Sequence, residues 1–163
     1  VAVVNLPHAT PELTEEPLFD EDLLLVVPDD HLLAGRGRVS MTDLDGLALL
    51  LPAPFTAYRA EIDEAARDAA VTLRARVEVD GLRLIASLTS RGYGPAILPA
   101  TGASEIDEGY ARVAVDGLPR RRVGVVLRRR SRPSAPARAM LAILDEVVKE
   151  NLDAERGIHA PRR

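Results

Sequence analysis

The sequence contains no cysteine and no tryptophan. Disulfide bonds, thiolate zinc sites and a cysteine nucleophile are therefore excluded for this chain. Tyrosine and phenylalanine together supply only five residues, so aromatic stacking on nucleic-acid bases has little support. No apolar run approaches the roughly 20 residues that cross a bilayer, and the first residues lack the basic region of a signal peptide. We expect a cytoplasmic protein that makes no membrane contact.

What is present suits a packed globular domain. Of 163 residues, 47% are hydrophobic and 28% are charged, a balance that argues against disorder. The net charge of −4 gives no general support to nucleic-acid binding. The chain opens on an apolar run with no initiator methionine, so we expect a part of a longer protein.

Strands and helices are predicted to alternate through the middle of the chain. This order is strand 47–51, helix 57–69, strand 73–79, helix 81–90 and strand 96–98. Such alternation indicates an α/β fold with a parallel sheet. Further strands are predicted at residues 1–5, 23–27, 110–115 and 123–127, with a polar loop over residues 7–16. A last helix over residues 134–152 is expected to bury one stripe: Ala137, Met140, Leu141, Leu144, Val147 and Val148.

Two helix starts follow predicted parallel strands, at the sheet edge where open α/β folds bind ligands. At the first, Thr56 is the expected N-cap, and Phe55 and Tyr58 are candidates to wall an apolar ligand. Backbone N–H groups and the helix dipole there favour an anion such as a carboxylate. At the second, Asp80 is the expected cap and would repel an anion. Ordinary capping remains the alternative at both.

Residues for catalysis are scarce. The three histidines are far apart in sequence, and no HExxH, GxSxG or P-loop motif occurs. The glycine pair in residues 91–94 ends a helix and does not open one, so it is not a dinucleotide fingerprint. We predict no catalytic residue, no metal site and no cofactor, and hence no enzyme.

Arginines flank the last predicted strand on both sides: Arg120, Arg121 and Arg122 precede it, and Arg128, Arg129, Arg130 and Arg132 follow. Residues 1–119 carry a net charge of −11, whereas residues 120–163 carry +7. One interpretation is contact with a phosphate backbone. Solvated strand ends beside an acidic region are the favoured alternative, because no aromatic residue is interleaved and no recognition helix is present.

Four stretches together resemble the effector-binding domain of LysR-type transcriptional regulators. They are EPLFDEDLLLVVPDDHLLAGRGRVSMTDLDG, LLLPAPFTAYRAEIDEAARDAAV, RVEVDGLRLIASLTSRGYGPAILPA and RRRVGVVLRRRSRPSAPARAMLAILDEVV. Each stretch is a weak signal alone. Their order and spacing are specific, and they extend over nearly all of residues 1–152.

The resemblance implies an α/β, periplasmic-binding-protein-like, two-lobed (type 2) effector domain. Residues 1–20 would be the end of lobe I and the hinge, and residues 21–117 would be lobe II. Residues 118–152 would return to lobe I, and residues 153–163 would be a disordered tail. Lobe II would be complete and lobe I partial, with hinge crossovers near Asp20 and Leu118.

The resemblance also implies effector contacts. They would be Asn5 and Pro7 at the hinge strand, Phe55, Thr56 and Arg59 at the helix start, and Leu98 and Pro99 at a strand end; the sheet-edge argument adds Asp80. Phe55 stands where many relatives have glycine or serine, which implies a smaller or more aromatic pocket. Leu32 replaces a common proline, and Pro95 replaces a common valine.

The implied function is sensing, not catalysis. A small, carboxylate-bearing effector would shift a two-state equilibrium between lobe arrangements. DNA would be reached only through an N-terminal helix-turn-helix outside this chain, in a homodimer or homotetramer. A periplasmic-type solute-binding protein, an enzyme on the same scaffold, or an oligomerisation module without effector would be the alternatives. Residues 1–5 and 123–127 are expected to be exposed edges that make the isolated chain self-associate.

Overall fold

The computed structural model describes residues 1–7, 10–106, 108–130, 132–152 and 157–162. The strands within these residues are β1 (Ala2–Leu6), β2 (Leu13–Pro28), β3 (Arg38–Ser40), β4 (Ala48–Pro52), β5 (Arg74–Val79), β6 (Ala96–Pro99), β7 (Tyr110–Asp116), β8 (Arg120–Arg128) and β9 (Ile158–His159). The α-helices are α1 (Ala57–Asp68), α2 (Leu82–Ser90), α3 (Ala100–Ser104) and α4 (Ala135–Asn151). Two short 3₁₀ turns, Ala34–Arg36 and Met41–Leu44, precede and follow β3.

The chain divides into two compact units. Unit 1 combines Val1–Glu21 with Arg120–Arg163, and unit 2 is Asp22–Pro119. Strand β2 begins in unit 1 and ends in unit 2. The chain therefore leaves unit 1 after Glu21 and returns to it at Arg120. The assignment of these units to the lobes of an effector domain stays a prediction.

The described residues of unit 2 form a sheet of six strands in the order β5-β4-β6-β2-β7-β3, with helices α1, α2 and α3. Strands β4, β5 and β6 pair in parallel, as the alternating pattern predicts. Strands β3 and β7 also pair in parallel, which the pattern did not predict. The exception is β2, which pairs antiparallel with both β6 and β7. Its position between two strands explains its uninterrupted apolar run, because a central strand is covered on both faces.

The core of unit 2 is closed. The run from Leu23 to Val27 is at most 2% exposed, and Leu49, Leu50 and Leu51 of β4 are fully buried. Strand β5 differs from its prediction. Its clean alternation predicted one buried face, but residues 74–78 are exposed, because β5 is the edge of the sheet and only β4 pairs with it among the described strands.

Unit 1 contains β1, β8 and the first part of β2, in that order. Strand β1 pairs antiparallel with β8, Ala2 opposite Val126 and Leu6 opposite Arg122. The expectation that residues 123–127 are an exposed edge is wrong: Val125 is 1% exposed, because β8 lies between two strands. Strand β1 is an edge, with Val1 and Val3 about half exposed. Here β2 also starts earlier than predicted, at Leu13 within the expected polar loop.

Helix α4 has no buried residue. Ala137, Leu141, Leu144 and Val148 of its predicted buried stripe are half-buried. The prediction is wrong for Met140 and Val147, which are 52% and 48% exposed, and the neighbouring Ile143 is 54% exposed. An apolar surface of α4 therefore faces outward from unit 1.

The predicted disordered tail is wrong for residues 157–162. Strand β9 pairs antiparallel with β2, His159 opposite Asp20 and Ile158 opposite Glu21, and Ile158 is 8% exposed. Residues 153–156 and 163 of that prediction lie outside the described residues.

Among the described residues, no helix is long and apolar enough to cross a membrane.

Candidate functional site

One edge of the unit 2 sheet carries most of the predicted site residues. The parallel strands β4, β5 and β6 end at Pro52, Val79 and Pro99, and a helix follows each of them. Because neighbouring parallel strands end at the same edge, the residues after them come together there. Phe55 and Thr56 follow β4, Asp80 follows β5, and Leu98 and Pro99 close β6.

Thr56 is the N-cap of α1, as predicted. Its hydroxyl accepts a hydrogen bond from the Arg59 backbone N–H at 3.1 Å and donates one to the Ala53 carbonyl at 2.9 Å. The hydroxyl proton is thus already donated within the chain. What this terminus offers a ligand is the helix dipole and the first-turn amides.

Phe55 and Tyr58 have opposite surroundings. Phe55 has a φ of 73° and a fully exposed ring, so it projects from the edge of the sheet. Tyr58 is 7% exposed, and its hydroxyl donates to the Ile97 carbonyl at 3.0 Å. The prediction that Tyr58 walls a ligand is therefore wrong, because the ring belongs to the core of unit 2.

Arg59 is held by three acceptors. Its guanidinium donates to Asp63 Oδ1 at 2.8 Å, to Glu78 Oε1 at 2.7 Å and to the Pro52 carbonyl at 3.0 Å. Burial alone would lower the pKa of Arg59, but its hydrogen bonds to Asp63 and Glu78 raise it overall. This side chain ties α1 to the ends of β4 and β5, and its role as an effector contact stays a prediction.

Asp80 does not cap α2. The N-cap is Gly81, whose φ of 102° favours glycine, and no side chain accepts at this helix start. Asp80 is exposed instead. Leu98 is fully buried in β6, and Pro99 is buried as the N-cap of α3. Both residues therefore lie beneath the surface at this edge of the sheet.

Asn5 and Pro7 belong to unit 1. Asn5 lies in β1 opposite Val123 and is exposed, and Pro7 follows the strand through a cis peptide bond from Leu6. Pro7 lines a groove of about 430 Å³, named here the Pro7 groove. Its lining residues are Leu6, Pro7, Glu15, Pro17, Asp20, Arg120, Arg122 and Arg162.

An ion pair between a buried carboxylate and a partly exposed guanidinium forms one side of the Pro7 groove. Arg122 donates to both carboxylate oxygens of Asp20, Nε at 2.8 Å and Nη2 at 3.2 Å, and the Arg162 backbone N–H donates to Asp20 at 3.0 Å. The Arg122 hydrogen bonds lower the pKa of the Asp20 carboxyl below its usual 3.8, against the opposing effect of burial. Sequence patterns do not reveal this pair, because its members are 102 residues apart. The available signal was an aspartate next to an apolar strand.

The arginines after β8 line a second groove in unit 1, of about 720 Å³. Arg128, Arg129 and Arg130 lie there with residues 11–13, and the Arg129 amide donates to the Glu12 carbonyl at 2.8 Å. All three arginines are exposed, which agrees with the interpretation of solvated strand ends. In the part of the chain that the structure describes, no group of three or more acidic or histidine side chains is arranged to hold a metal ion.

Nearly the whole chain is similar to one known protein family. The model of the LysR substrate binding domain matches residues 1–149. The chain belongs to the LysR substrate binding domain family. It is therefore an effector-binding regulatory domain of the LysR type and not an enzyme, as the resemblance implies. Members of this family of transcription regulators act in the cytoplasm, which agrees with that expectation.

Two curated relatives show where the match lies. The chain is 30% identical over 152 residues to a probable hydrogen peroxide-inducible genes activator of Mycobacterium leprae, covering 90% of this chain and 49% of the relative. It is 28% identical over 154 residues to the DNA-binding transcriptional dual regulator OxyR of Escherichia coli. That match covers 93% of this chain and 49% of the relative. The LysR domain thus spans about half the length of these relatives.

A solved structure confirms the fold. The regulatory domain of Synechocystis CcmR, in complex with 2-PG, superposes with a TM-score of 0.74 at 24% identity. The match covers 90% of this chain and 72% of that domain. The mixed α/β architecture is that of LysR regulatory domains.

Proposed function

We propose that this LysR domain senses a small carboxylate-bearing effector held between two lobes. Unit 2 would be the complete lobe II, and unit 1 would be part of lobe I. The closed core of unit 2 supports its completeness. The outward apolar surface of α4 and the 72% coverage of the CcmR domain support a partial lobe I.

The observation that carries the ligand class is the pairing of Phe55 with the start of α1. An exposed aromatic ring lies next to a helix N-terminus at the carboxyl edge of a sheet. The amides and the dipole there suit a carboxylate, and the ring suits an apolar body. The CcmR domain, which shares this fold, is described with the small molecule 2-PG bound.

Peroxide, which the names of several relatives mention, is a poorer candidate for this chain. Reversible sensing of peroxide by a thiol needs a cysteine that forms a sulfenic acid or a disulfide, and the sequence has none. We therefore infer a response to ligand binding, without thiol chemistry in this domain.

The response would be a shift in population. An effector changes the equilibrium between two lobe arrangements by the ratio of its affinities for them. In the whole regulator, a homodimer or homotetramer, that shift would reach DNA through a helix-turn-helix outside this chain.

The test uses the whole regulator with a reporter gene under its promoter and a panel of small carboxylates. We expect Phe55→Ala to lower the response to the active compound at least tenfold. Leu32→Ala is the matched control, since Leu32 is an exposed apolar side chain of the same unit, 91% exposed and outside the sheet edge. An unchanged response in the Phe55 variant, or a neutral compound as the active one, would sink the proposal.

A further inference from the structure

The Pro7 groove combines apolar walls with an excess of positive charge. Leu6, Pro7 and Pro17 supply apolar surface, and the guanidinium groups of Arg120, Arg122 and Arg162 outnumber the carboxylates of Glu15 and Asp20. Its volume of about 430 Å³ lies within the range of small-molecule sites. The lining therefore suits an organic anion with an apolar body.

The charge of Asp20 does not oppose such a ligand strongly. Arg122 donates two hydrogen bonds to this carboxylate, and the Arg162 amide donates a third. Asp20 is 3% exposed, so its charge is satisfied within the wall of the groove. It fixes the Arg122 guanidinium in position, because two parallel hydrogen bonds define its orientation.

The C-terminal residues 157–162, named here the strap, complete the groove. Strand β9 docks the strap on β2, and Ile158 is buried there. Arg122 Nη2 also donates to the Arg162 carbonyl at 2.9 Å. The backbone of Arg162 is thus held on both sides, and its side chain lines the groove.

We infer that the Pro7 groove binds a small organic anion and that the strap supplies one of its walls. The inference goes beyond the proposed function to a second place on the chain and rests on it only for the carboxylate class. It adds Arg120, Arg122 and Arg162 as ligand contacts. Linkage makes this coupling reciprocal: the factor by which strap docking raises the affinity for the anion is also the factor by which the bound anion raises the equilibrium constant for docking.

The test is an amide-detected NMR titration of the 163-residue chain with butyrate at constant ionic strength. Butyramide has the same shape without the charge and is the matched ligand control. We expect butyrate to shift the amide signals of Asp20 and Arg162, with a dissociation constant on the order of 1–10 mM. Hydrogen exchange at the Ile158 amide should slow at least twofold at saturation.

Arg162→Ala should weaken butyrate binding at least fivefold. Arg138→Ala is the matched control, because Arg138 is an exposed arginine of unit 1 outside the groove, and it should stay within twofold of the parent. Arg162 contributes only backbone atoms to the Asp20 network, so its truncation leaves the strap able to dock.

Equal binding of butyramide, or full affinity in the Arg162 variant, would overturn the inference. The proposed function fails separately, through an unchanged effector response of the Phe55 variant in the whole regulator. If Phe55→Ala loses the effector response and Arg162→Ala binds butyrate normally, the groove inference is rejected and the proposed function is kept. If Phe55→Ala keeps the effector response and Arg162→Ala binds butyrate at least fivefold more weakly, the groove inference is kept and the sensing role of the sheet edge is rejected.

Discussion

Units 1 and 2 bury their apolar residues to different extents. The largest fully buried side chains of the described residues, such as Leu24, Leu50 and Ile97, all belong to unit 2. In unit 1 the buried set includes the charged residues Asp20, Glu21 and Arg121, while α4 has no buried residue. Unit 2 is therefore stabilised mainly by apolar burial, whereas unit 1 buries fewer large apolar side chains and has charged residues among its buried ones.

The units also differ in charge. Unit 2 carries a net charge of −6 and unit 1 of +2 over the full sequence. Unit 1 therefore combines an acidic and a basic segment. Val1–Glu21 contributes five carboxylates, and Arg120–Arg163 carries a net positive charge. This combination makes the Asp20–Arg122 pair possible.

The largest expected effect tests the closed core. Leu50→Ala in β4 should lower the free energy of unfolding by about 2–5 kcal/mol, since a buried leucine leaves a cavity. Met140→Ala, on the exposed surface of α4, should change it by no more than about 0.5 kcal/mol. Urea unfolding followed by circular dichroism measures both, and equal losses would erase the contrast between the units.

The next effect tests how much the Asp20–Arg122 ion pair stabilises unit 1. Asp20→Asn should cost about 2 kcal/mol at pH 7, because it weakens three hydrogen bonds at a buried acceptor. The pKa of Asp20 is lowered in the folded state, so its stabilisation is complete above the unfolded value of about 3.8 and is lost as the pH falls through the folded pKa.

Urea unfolding at pH 7 and at pH 3 measures this difference, which should shrink at the lower pH. Asp145→Asn is the control: Asp145 pairs with Lys149 at 2.6 Å on the surface, and such pairs contribute about 0.5 kcal/mol or less. A loss of stability in the Asp20 variant no larger than in this control would contradict the role of the Asp20–Arg122 pair.

A third effect concerns the apolar surface of unit 1. We expect the 163-residue chain to self-associate through α4 and the edge of β1, where Ile143 and Val3 are about half exposed. Ile143→Glu should weaken association at least tenfold in sedimentation equilibrium. Leu32→Glu, on unit 2, should leave it unchanged, and a strictly monomeric parent chain would show that this surface is not adhesive.

The smallest effect tests the sheet edge of unit 2. Phe55 has a φ of 73°, which costs a side-chain-bearing residue about 1 kcal/mol. Phe55→Gly should therefore stabilise the chain by about 0.5 kcal/mol after the greater freedom of glycine in the unfolded state is included. Leu32→Gly should destabilise it. Thermal unfolding measures both, and a loss in the Phe55 variant would mean that its ring contributes packing.

Local patterns predicted the elements well where one rule applies. The alternation of strands and helices gave the parallel part of the unit 2 sheet, and Thr56 was recognisable as a cap because a hydroxyl precedes an amphipathic run. The same rule misplaced the cap at Asp80, since the chain turns one residue later, at a glycine that tolerates a positive φ.

The amino-acid sequence by itself determined the α/β class, the absence of thiol chemistry and the family, because composition, periodicity and motif order are local or additive properties. Tertiary structure alone decided which faces are covered. It exposed Met140 and Val147, buried Tyr58, and paired Asp20 with Arg122. Helical and strand periods mark an apolar face without saying what packs against it, and a pair 102 residues apart forms only once the strands lie side by side.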